Sequence, residues 1–314
     1  MKTVLITGGG GFISSSVIKI LLDGNYKVIV LDNNFKNTCD RLIPFVPNKN
    51  FEFILGDVTE ESILHDIFDK YRPDYTLHMA ALVGFPICNK YKQLASVVNF
   101  TATKVIARKA HYFHSKLLFP STGSVYKPGQ SRCDENAEVK PPSHYGRTKL
   151  LAEHYIRQYP NIIIHRYGTA MGVSFANIRT DLLANHLTLR SYLDRTITLF
   201  EHTFLRSFIH VRDIASAIVH TIEKWDDVAS KGRLFNVSNN DLNFTKGELA
   251  SMISSKLGTN VCYAEYAKDL DQRNYLMDND LFYSTGWQPT IGMDETIDEL
   301  IKVAPMLTQE NKYA

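Results

Sequence analysis

The stretch Thr7-Gly8-Gly9-Gly10-Gly11-Phe12-Ile13-Ser14 decides the fold. Before it lies a short apolar run, Thr3 to Thr7, whose Val4, Leu5 and Ile6 read as a buried strand. After it, from Phe12 to Leu22, Ile13, Val17, Ile20 and Leu21 fall on one side of a helix that Gly24-Asn25 ends. Glycines at a strand-to-helix turn let the backbone bend tightly and let a pyrophosphate come close. The helix start adds unpaired N–H groups and a positive dipole end. About 20 residues further on, where dinucleotide sites carry an acid, Asp32 ends the apolar run Lys27 to Leu31. A carboxylate there accepts hydrogen bonds from a ribose 2′-hydroxyl and repels a 2′-phosphate. The stretch therefore predicts a dinucleotide site that favours NAD, while Lys36 and Arg41 lie near enough to keep NADP open.

Outward from this unit the same rhythm repeats. Phe51 to Leu55 reads as a strand, Glu60 to Lys70 as a helix, Asp74 to Met79 as a strand, Leu94 to Ser115 as one long helix and Lys116 to Ser121 as a strand. Short apolar strands alternating with helices predict a Rossmann-type α/β fold: a doubly wound parallel sheet with helices on both faces. This dinucleotide-binding domain is assigned to residues 1–167. After Gly168 the pattern turns mixed, with helices over 178–193, 213–223, 246–257 and 294–303 and strands over 196–200, 206–211 and 234–237. Residues 168–314 are read as a smaller mixed α/β substrate lobe at the carboxyl ends of the strands, with some return of the chain to the main sheet.

Composition excludes several classes. Of 314 residues, 44% are hydrophobic and 22% charged, the balance of an ordinary globular chain. The formal net charge of +2 gives no field that would draw nucleic acid or an anionic membrane. Cys39, Cys88, Cys133 and Cys262 are far apart and form no C-x-x-C pair, so neither a disulfide framework nor a zinc site is expected, and a reducing, cytoplasmic setting fits. The apolar run at the N-terminus is too short for a signal peptide, and no stretch of about 18 apolar residues predicts a membrane span. His78, His165 and His210 lack ligand spacing and are read as packed histidines, so no metal is expected.

The chemistry is carried by Tyr145-Gly146-Arg147-Thr148-Lys149. Residues four apart share a helix face. A phenol titrates near 10, too high for a base at neutral pH, but an adjacent ammonium and a bound nicotinamide cation stabilise the phenolate. Tyrosinate then takes a proton from a hydroxyl while hydride leaves the same carbon. Just over 20 residues upstream stands Ser121-Thr122-Gly123-Ser124-Val125-Tyr126, following the strand at 116–121.

These motifs together resemble the extended short-chain dehydrogenases, the NAD-dependent epimerase/dehydratase group that modifies sugar nucleotides. The glycine stretch resembles their T-G-G-x-G-F-I-G opening, with Gly8, Gly11, Phe12 and Ile13 in place and Ser14 where the third glycine stands. Asp57-Val58 matches the acidic–apolar pair at the adenine, and Ala80-Ala81 the small residues beside the pyrophosphate. The resemblance implies that Tyr145 and Lys149 are catalytic, that Lys149 also holds the nicotinamide ribose, and that Thr122 takes the place of the catalytic Ser/Thr. Nucleotide-sugar 4,6-dehydratases of this family carry an Asp-Glu pair where Gly123 and Ser124 stand here, so that reaction is disfavoured. Arg206 in Arg206-Ser207-Phe208-Ile209-His210-Val211 matches the arginine that clamps the substrate diphosphate. Tyr126, Arg179 and Asn177 are further candidate substrate contacts; Arg273 reads as a surface charge. Thr169 replaces a usual Asn, and Trp287 lies in an L-G-W-x-P-like segment. The expectation is an NAD-dependent 4-epimerase or 4-dehydrogenase acting on a nucleotide-diphosphate sugar. A 4-keto-sugar reductase and a non-enzymatic NAD-binding sensor are the alternatives. The resemblance also implies a homodimer through the helices near 94–115 and at Tyr145, and a setting in polysaccharide biosynthesis.

Overall fold

The β-branched and leucine-rich runs become strands, and the amphipathic segments between them become helices. The computed structural model describes residues 1–176, 178–264 and 274–308. From the N-terminus the chain forms β1 (Thr3–Thr7), α1 (Ser14–Asp23), β2 (Lys27–Asp32), β3 (Phe51–Leu55), α2 (Glu61–Tyr71), β4 (Tyr75–His78), α3 (Phe85–Lys90), α4 (Lys92–Ser96), α5 (Thr103–Tyr112) and β5 (Lys116–Thr122). It continues through β6 (Gln130–Cys133), α6 (His144–Ile156), β7 (Ile162–Tyr167), β8 (Thr169–Met171), α7 (Leu183–Asp194), β9 (Thr196–Leu199), β10 (Leu205–His210), α8 (Val211–Glu223) and α9 (Trp225–Lys231). The last elements are β11 (Leu234–Val237), β12 (Asn243–Thr245), α10 (Lys246–Leu257), β13 (Asn260–Tyr263), β14 (Tyr275–Met277), α11 (Asp280–Tyr283) and α12 (Met293–Thr308).

Among the described residues, the main sheet runs β11–β7–β5–β4–β1–β2–β3. Every neighbouring pair in it is parallel. Strand order reverses between β1 and β4, and at such a switch point the loops diverge and open a crevice at the carboxyl ends. Alternation along β1 serves two cores: Val4 and Ile6 join Val17, Ile18 and Ile218 on one face, while Leu5 joins Phe68, Ile106 and Ala152 on the other. Each fully buried aliphatic side chain contributes roughly 1.5–3 kcal/mol. A third core, around Leu187, Leu199, Phe208, Leu249 and Ile297, is built from α7, β9, β10, α10 and α12. The chain returns to the main sheet at β11, beside β7.

Two helices differ from their sequence-based expectations. The helix expected over 94–115 runs without a break from 92 to 112 but changes its winding: Val97–Ala102 is a π-helix between α4 and α5. Asn99 turns its amide onto the backbone of Leu82, and Thr103 Oγ1 donates to the Asn99 carbonyl at 2.9 Å, so side chains take up backbone partners inside the helix. The helix expected from 178 begins only at Leu183. Asn185 is the cause: its Oδ1 accepts from Gly172 N, and its Nδ2 donates to the carbonyls of Gly172 and Arg179, which holds the incoming chain in an irregular course.

Candidate active site

At the carboxyl ends of the main-sheet strands lies a cleft of about 1280 Å³, walled on one side by the glycine stretch and on the other by residues 178–183, 198–200 and Lys246. Gly8 has φ +72, and a Cβ on it would stand 2.6 Å from Ala80 N, so the strand-to-helix turn closes this tightly only with glycine. Ser14 also fits where a third glycine was the pattern. It is wholly buried, and its Oγ donates to Gly8 O at 2.9 Å, so the hydroxyl laces the loop shut. The first turn of α1 carries no acidic side chain, which suits it to an anionic pyrophosphate.

Asp32 lines the cleft with both oxygens engaged: Gly10 N donates to Oδ2 at 3.0 Å and Asn34 N to Oδ1 at 2.8 Å. Asp57 and Val58 line it too. Burial pushes the Asp57 carboxyl up, but donors from Thr59 and Asn33 outweigh it and hold the group below its ordinary range. Phe12, Ile13, Gly11, Ala80 and Ala81 complete this end. Behind them, His78 is packed between Thr7 Oγ1 at 2.7 Å and Thr103 Oγ1 at 3.0 Å. Burial, followed by the nearby Lys149, pulls its pKa down to about 3, so the ring is neutral. Thr103 gives its proton to Asn99 O, so His78 Nε2 donates to Thr103 and Nδ1 accepts from Thr7.

Tyr145, Lys149 and Thr122 meet in the same cleft. The first two come from α6, whose start is set by Ser143, with its Oγ accepting from Gly146 N at 3.0 Å. Lys149 is 3% exposed, with Nζ 3.9 Å from the centroid of the Phe119 ring. Burial pulls its ammonium down to about 7, opposed by the Glu153 carboxylate and the Cys88 thiol. Thr122 ends β5, and its Oγ1 accepts from Ser124 N at 3.1 Å, which leaves the hydroxyl proton to donate into the cleft. Burial on one helix face beside a sheet end is what assembles the trio, a convergence that the order of the motifs suggests and only packing delivers.

Several expected substrate contacts change. Tyr126 is not among the cleft-lining residues: it is wholly buried, and its hydroxyl donates to Asn236 Oδ1 at 2.6 Å and accepts from Arg166 Nη1 at 3.1 Å. Arg206 is likewise not among the cleft-lining residues; it lies in β10 at 3% exposure, with Nη1 donating to Leu205 O at 3.2 Å. Arg179 does line the cleft, forked onto Asp181 with Nε to Oδ1 at 2.9 Å. Asn177 and Arg273 lie outside the described residues. The cleft also brings in Ser143, Thr169, Thr180, Phe200 and Lys246, of which only Thr169 stood out in the sequence. Lys246 Nζ donates to Phe200 O at 2.8 Å, a contact between segments 46 residues apart that no local pattern signals.

The model of the NAD dependent epimerase/dehydratase family matches residues 4–238. A dTDP-D-glucose 4,6-dehydratase of Mus musculus is 23% identical, over 96% of this chain and 88% of that protein. A putative UDP-glucose 4-epimerase of Methanocaldococcus jannaschii is 25% identical, over 95% and 97%. Among solved structures, a UDP-glucose-4-epimerase of Stenotrophomonas maltophila with bound NAD and formylated UDP-arabinopyranose superposes with a TM-score of 0.85 at 18% identity, covering 99% of this chain and 100% of that one. The resemblance read from the motifs thus holds across the fold: this chain belongs to the NAD dependent epimerase/dehydratase family.

Proposed function

We propose that this protein oxidises a nucleotide-diphosphate sugar at its C4 hydroxyl, as a 4-epimerase or a 4-dehydrogenase. The observation that carries the reading is the convergence of Thr122, Tyr145 and Lys149 on the cleft that the glycine stretch and Asp32 line. NAD, held by Gly8 to Ile13, Asp32, Asp57, Val58 and Ala80-Ala81, supplies the hydride acceptor and donor. Tyr145 takes the hydroxyl proton as general base. Lys149 stabilises the phenolate and holds the cofactor ribose, and Thr122 donates a hydrogen bond to the reacting oxygen. An epimerase restores the hydroxyl with inverted configuration; a dehydrogenase releases the 4-keto sugar. Of the sequence-derived diphosphate contacts, Arg179 is the one the cleft favours.

Elimination of water across C5 and C6 is disfavoured by an observation at Gly123. A Cβ there would stand 2.6 Å from Met277 Sδ and 3.1 Å from Tyr275 Oη, so the position that holds an acid in the 4,6-dehydratases is filled by β14. Asp32 works against a 2′-phosphate and so against an NADPH-linked keto-sugar reductase. A homodimer through the helices near 94–115 and at Tyr145 is supported by Leu94, Val97 and Leu151, exposed at 39%, 38% and 52%. The four cysteines are all free thiols, which suits a reducing, cytoplasmic compartment.

The test is mass spectrometry with absorbance on protein given a panel of UDP-, dTDP-, GDP- and CDP-sugars. Loss of two hydrogens with NADH appearing names a dehydrogenase. Unchanged mass with a new chromatographic isomer names an epimerase. Loss of water refutes the argument from Gly123. Turnover that survives Tyr145→Phe refutes the assignment of the base.

A further inference from the structure

Directly beneath the catalytic trio lies a buried polar cluster that none of the chemistry above uses. Glu153 is on α6, one turn beyond Lys149 and on the same face. It is 0% exposed, yet it is fully engaged. Arg166, itself 2% exposed, forks onto it with Nη2 to Oε2 at 2.7 Å and Nε to Oε1 at 3.1 Å. Ser121 Oγ donates to its Oε1. Arg157 Nη2 approaches Oε2 at 4.0 Å from the solvent side. The partners are not incidental. Ser121 immediately precedes Thr122, and Ser121 and Arg166 are opposite one another in the β5–β7 register. Arg166 reaches on to the Tyr126 hydroxyl, and Tyr126 to Asn236 on β11. A single carboxylate therefore joins the helix bearing Tyr145 and Lys149 to the strand bearing Thr122.

A buried Arg–carboxylate pair is not needed for stability, since apolar residues of similar volume commonly replace one at no loss. Its location calls for another reason. We propose that Glu153 is a positioning residue of the active site: clamped by Arg166 and Ser121 one turn beyond Lys149, it fixes Thr122 relative to Tyr145 and Lys149 and places its carboxylate on the Lys149 face of α6. This rests on the reading of Tyr145, Lys149 and Thr122 as the reacting centre.

The surroundings of Lys149 leave Glu153 this task. Lys149 Nζ stands 3.9 Å from the centroid of the uncharged Phe119 ring of β5, the neutral His78 of β4 and Cys88 of α3 are near enough to act on it electrostatically, and Tyr145 lies one turn before it on its own helix. Burial works against the ammonium, and Glu153 is the largest influence opposing it. Without that charge, the ammonium would lose its proton at lower pH and the phenolate its counter-ion.

The test follows the Lys149 side chain directly, by NMR of the full chain with isotope-labelled lysine, saturated with NAD; the resonance is assigned by its loss in Lys149→Met. The titration midpoint of Lys149 is compared between the wild type and Glu153→Gln, which keeps shape and a hydrogen-bond acceptor but removes the charge. The expected result is a midpoint lower by roughly one to two pH units. Glu153→Gln leaves Arg166 buried without its anion, so if that variant does not fold, Glu153→Leu/Arg166→Met, which removes both charges, is read in its place. A midpoint within about 0.3 unit of wild type in the folded variant overturns the proposal, since one unit is about 1.36 kcal/mol of differential interaction. The readout needs no sugar, so a failed sugar panel and a failed role for Glu153 are separate results.

Discussion

Replacing Gly8 by alanine tests how the cofactor turn is built. The new Cβ meets two penalties. Gly8 sits at φ +72, where a residue with a side chain costs about 1–2 kcal/mol. The Cβ would also lie 2.6 Å from Ala80 N, 2.7 Å from Ala80 Cα and 2.9 Å from Met79 C, all backbone atoms of the neighbouring strand end. Backbone cannot swing aside as a side-chain tip can, so overpacking adds about 1–3 kcal/mol. The sum is roughly 2–5 kcal/mol, or about 4–10 °C in Tm at the sensitivity of larger domains. Gly129→Ala provides the matched control: its φ is +88, but nothing lies within 4 Å of the added atom, so only the conformational penalty applies. Thermal unfolding of both variants, with NAD affinity by calorimetry, isolates the close approach. Gly8→Ala should lose clearly more stability than Gly129→Ala, and its NAD affinity should fall by at least about tenfold, because the relaxation open to it displaces Ala80 at the cofactor wall. Equal losses in the two variants, with unchanged NAD affinity in Gly8→Ala, would refute the claim that the β1 turn is packed backbone to backbone against the end of β4.

Other expectations follow from the same geometry. Lys149 falls from 10.5 unfolded to about 7 folded, so between those values the unfolded chain binds more protons and stability rises with pH; Lys149→Met should therefore abolish turnover yet stabilise the fold below about pH 7 by on the order of 3–5 kcal/mol, a gain that fades as pH approaches 10.5 in a series of denaturation curves. Asp32→Ala removes the acceptor for Gly10 N and Asn34 N together with the repulsion of a 2′-phosphate, so NAD affinity should drop about tenfold while NADP, with Lys36 and Arg41 nearby, gains relative to it in a competitive titration. Gly123→Asp should lower Tm through its collision with Met277 and yield no dehydrated product by mass spectrometry; a dehydrated sugar from this variant would show that β14 does not control the reaction type.

The parts legible in sequence were those set by local chemistry. The alternation of strands and helices, the glycine turn with its acid downstream, and the four-residue spacing of Tyr145 and Lys149 each follow from periods and turn requirements within a few residues. What depended on distant partners is not written in any local window. Tyr126 stands two residues from Ser124 in a segment that faces the cleft, yet Arg166 and Asn236 draw its hydroxyl into the core. The helix expected from 94 is continuous but π-wound around Asn99, whose side chain pairs with Leu82 across 17 residues. Ser14 departs from the family pattern, and only the folded loop shows its hydroxyl on Gly8 O.

By itself, then, the sequence determined a Rossmann-type sheet, a dinucleotide turn and a Tyr–Lys pair on one helix face, because backbone sterics and side-chain periodicity act over a single turn or strand. Only the tertiary structure decided that Thr122 lines the same cleft as that pair, that Arg206 is buried in β10, that Met277 occupies the space beside Gly123 and that Glu153 packs one turn beyond Lys149. These are contacts between segments tens to more than a hundred residues apart, and burial of shared apolar faces, which no local window contains, sets which of them meet.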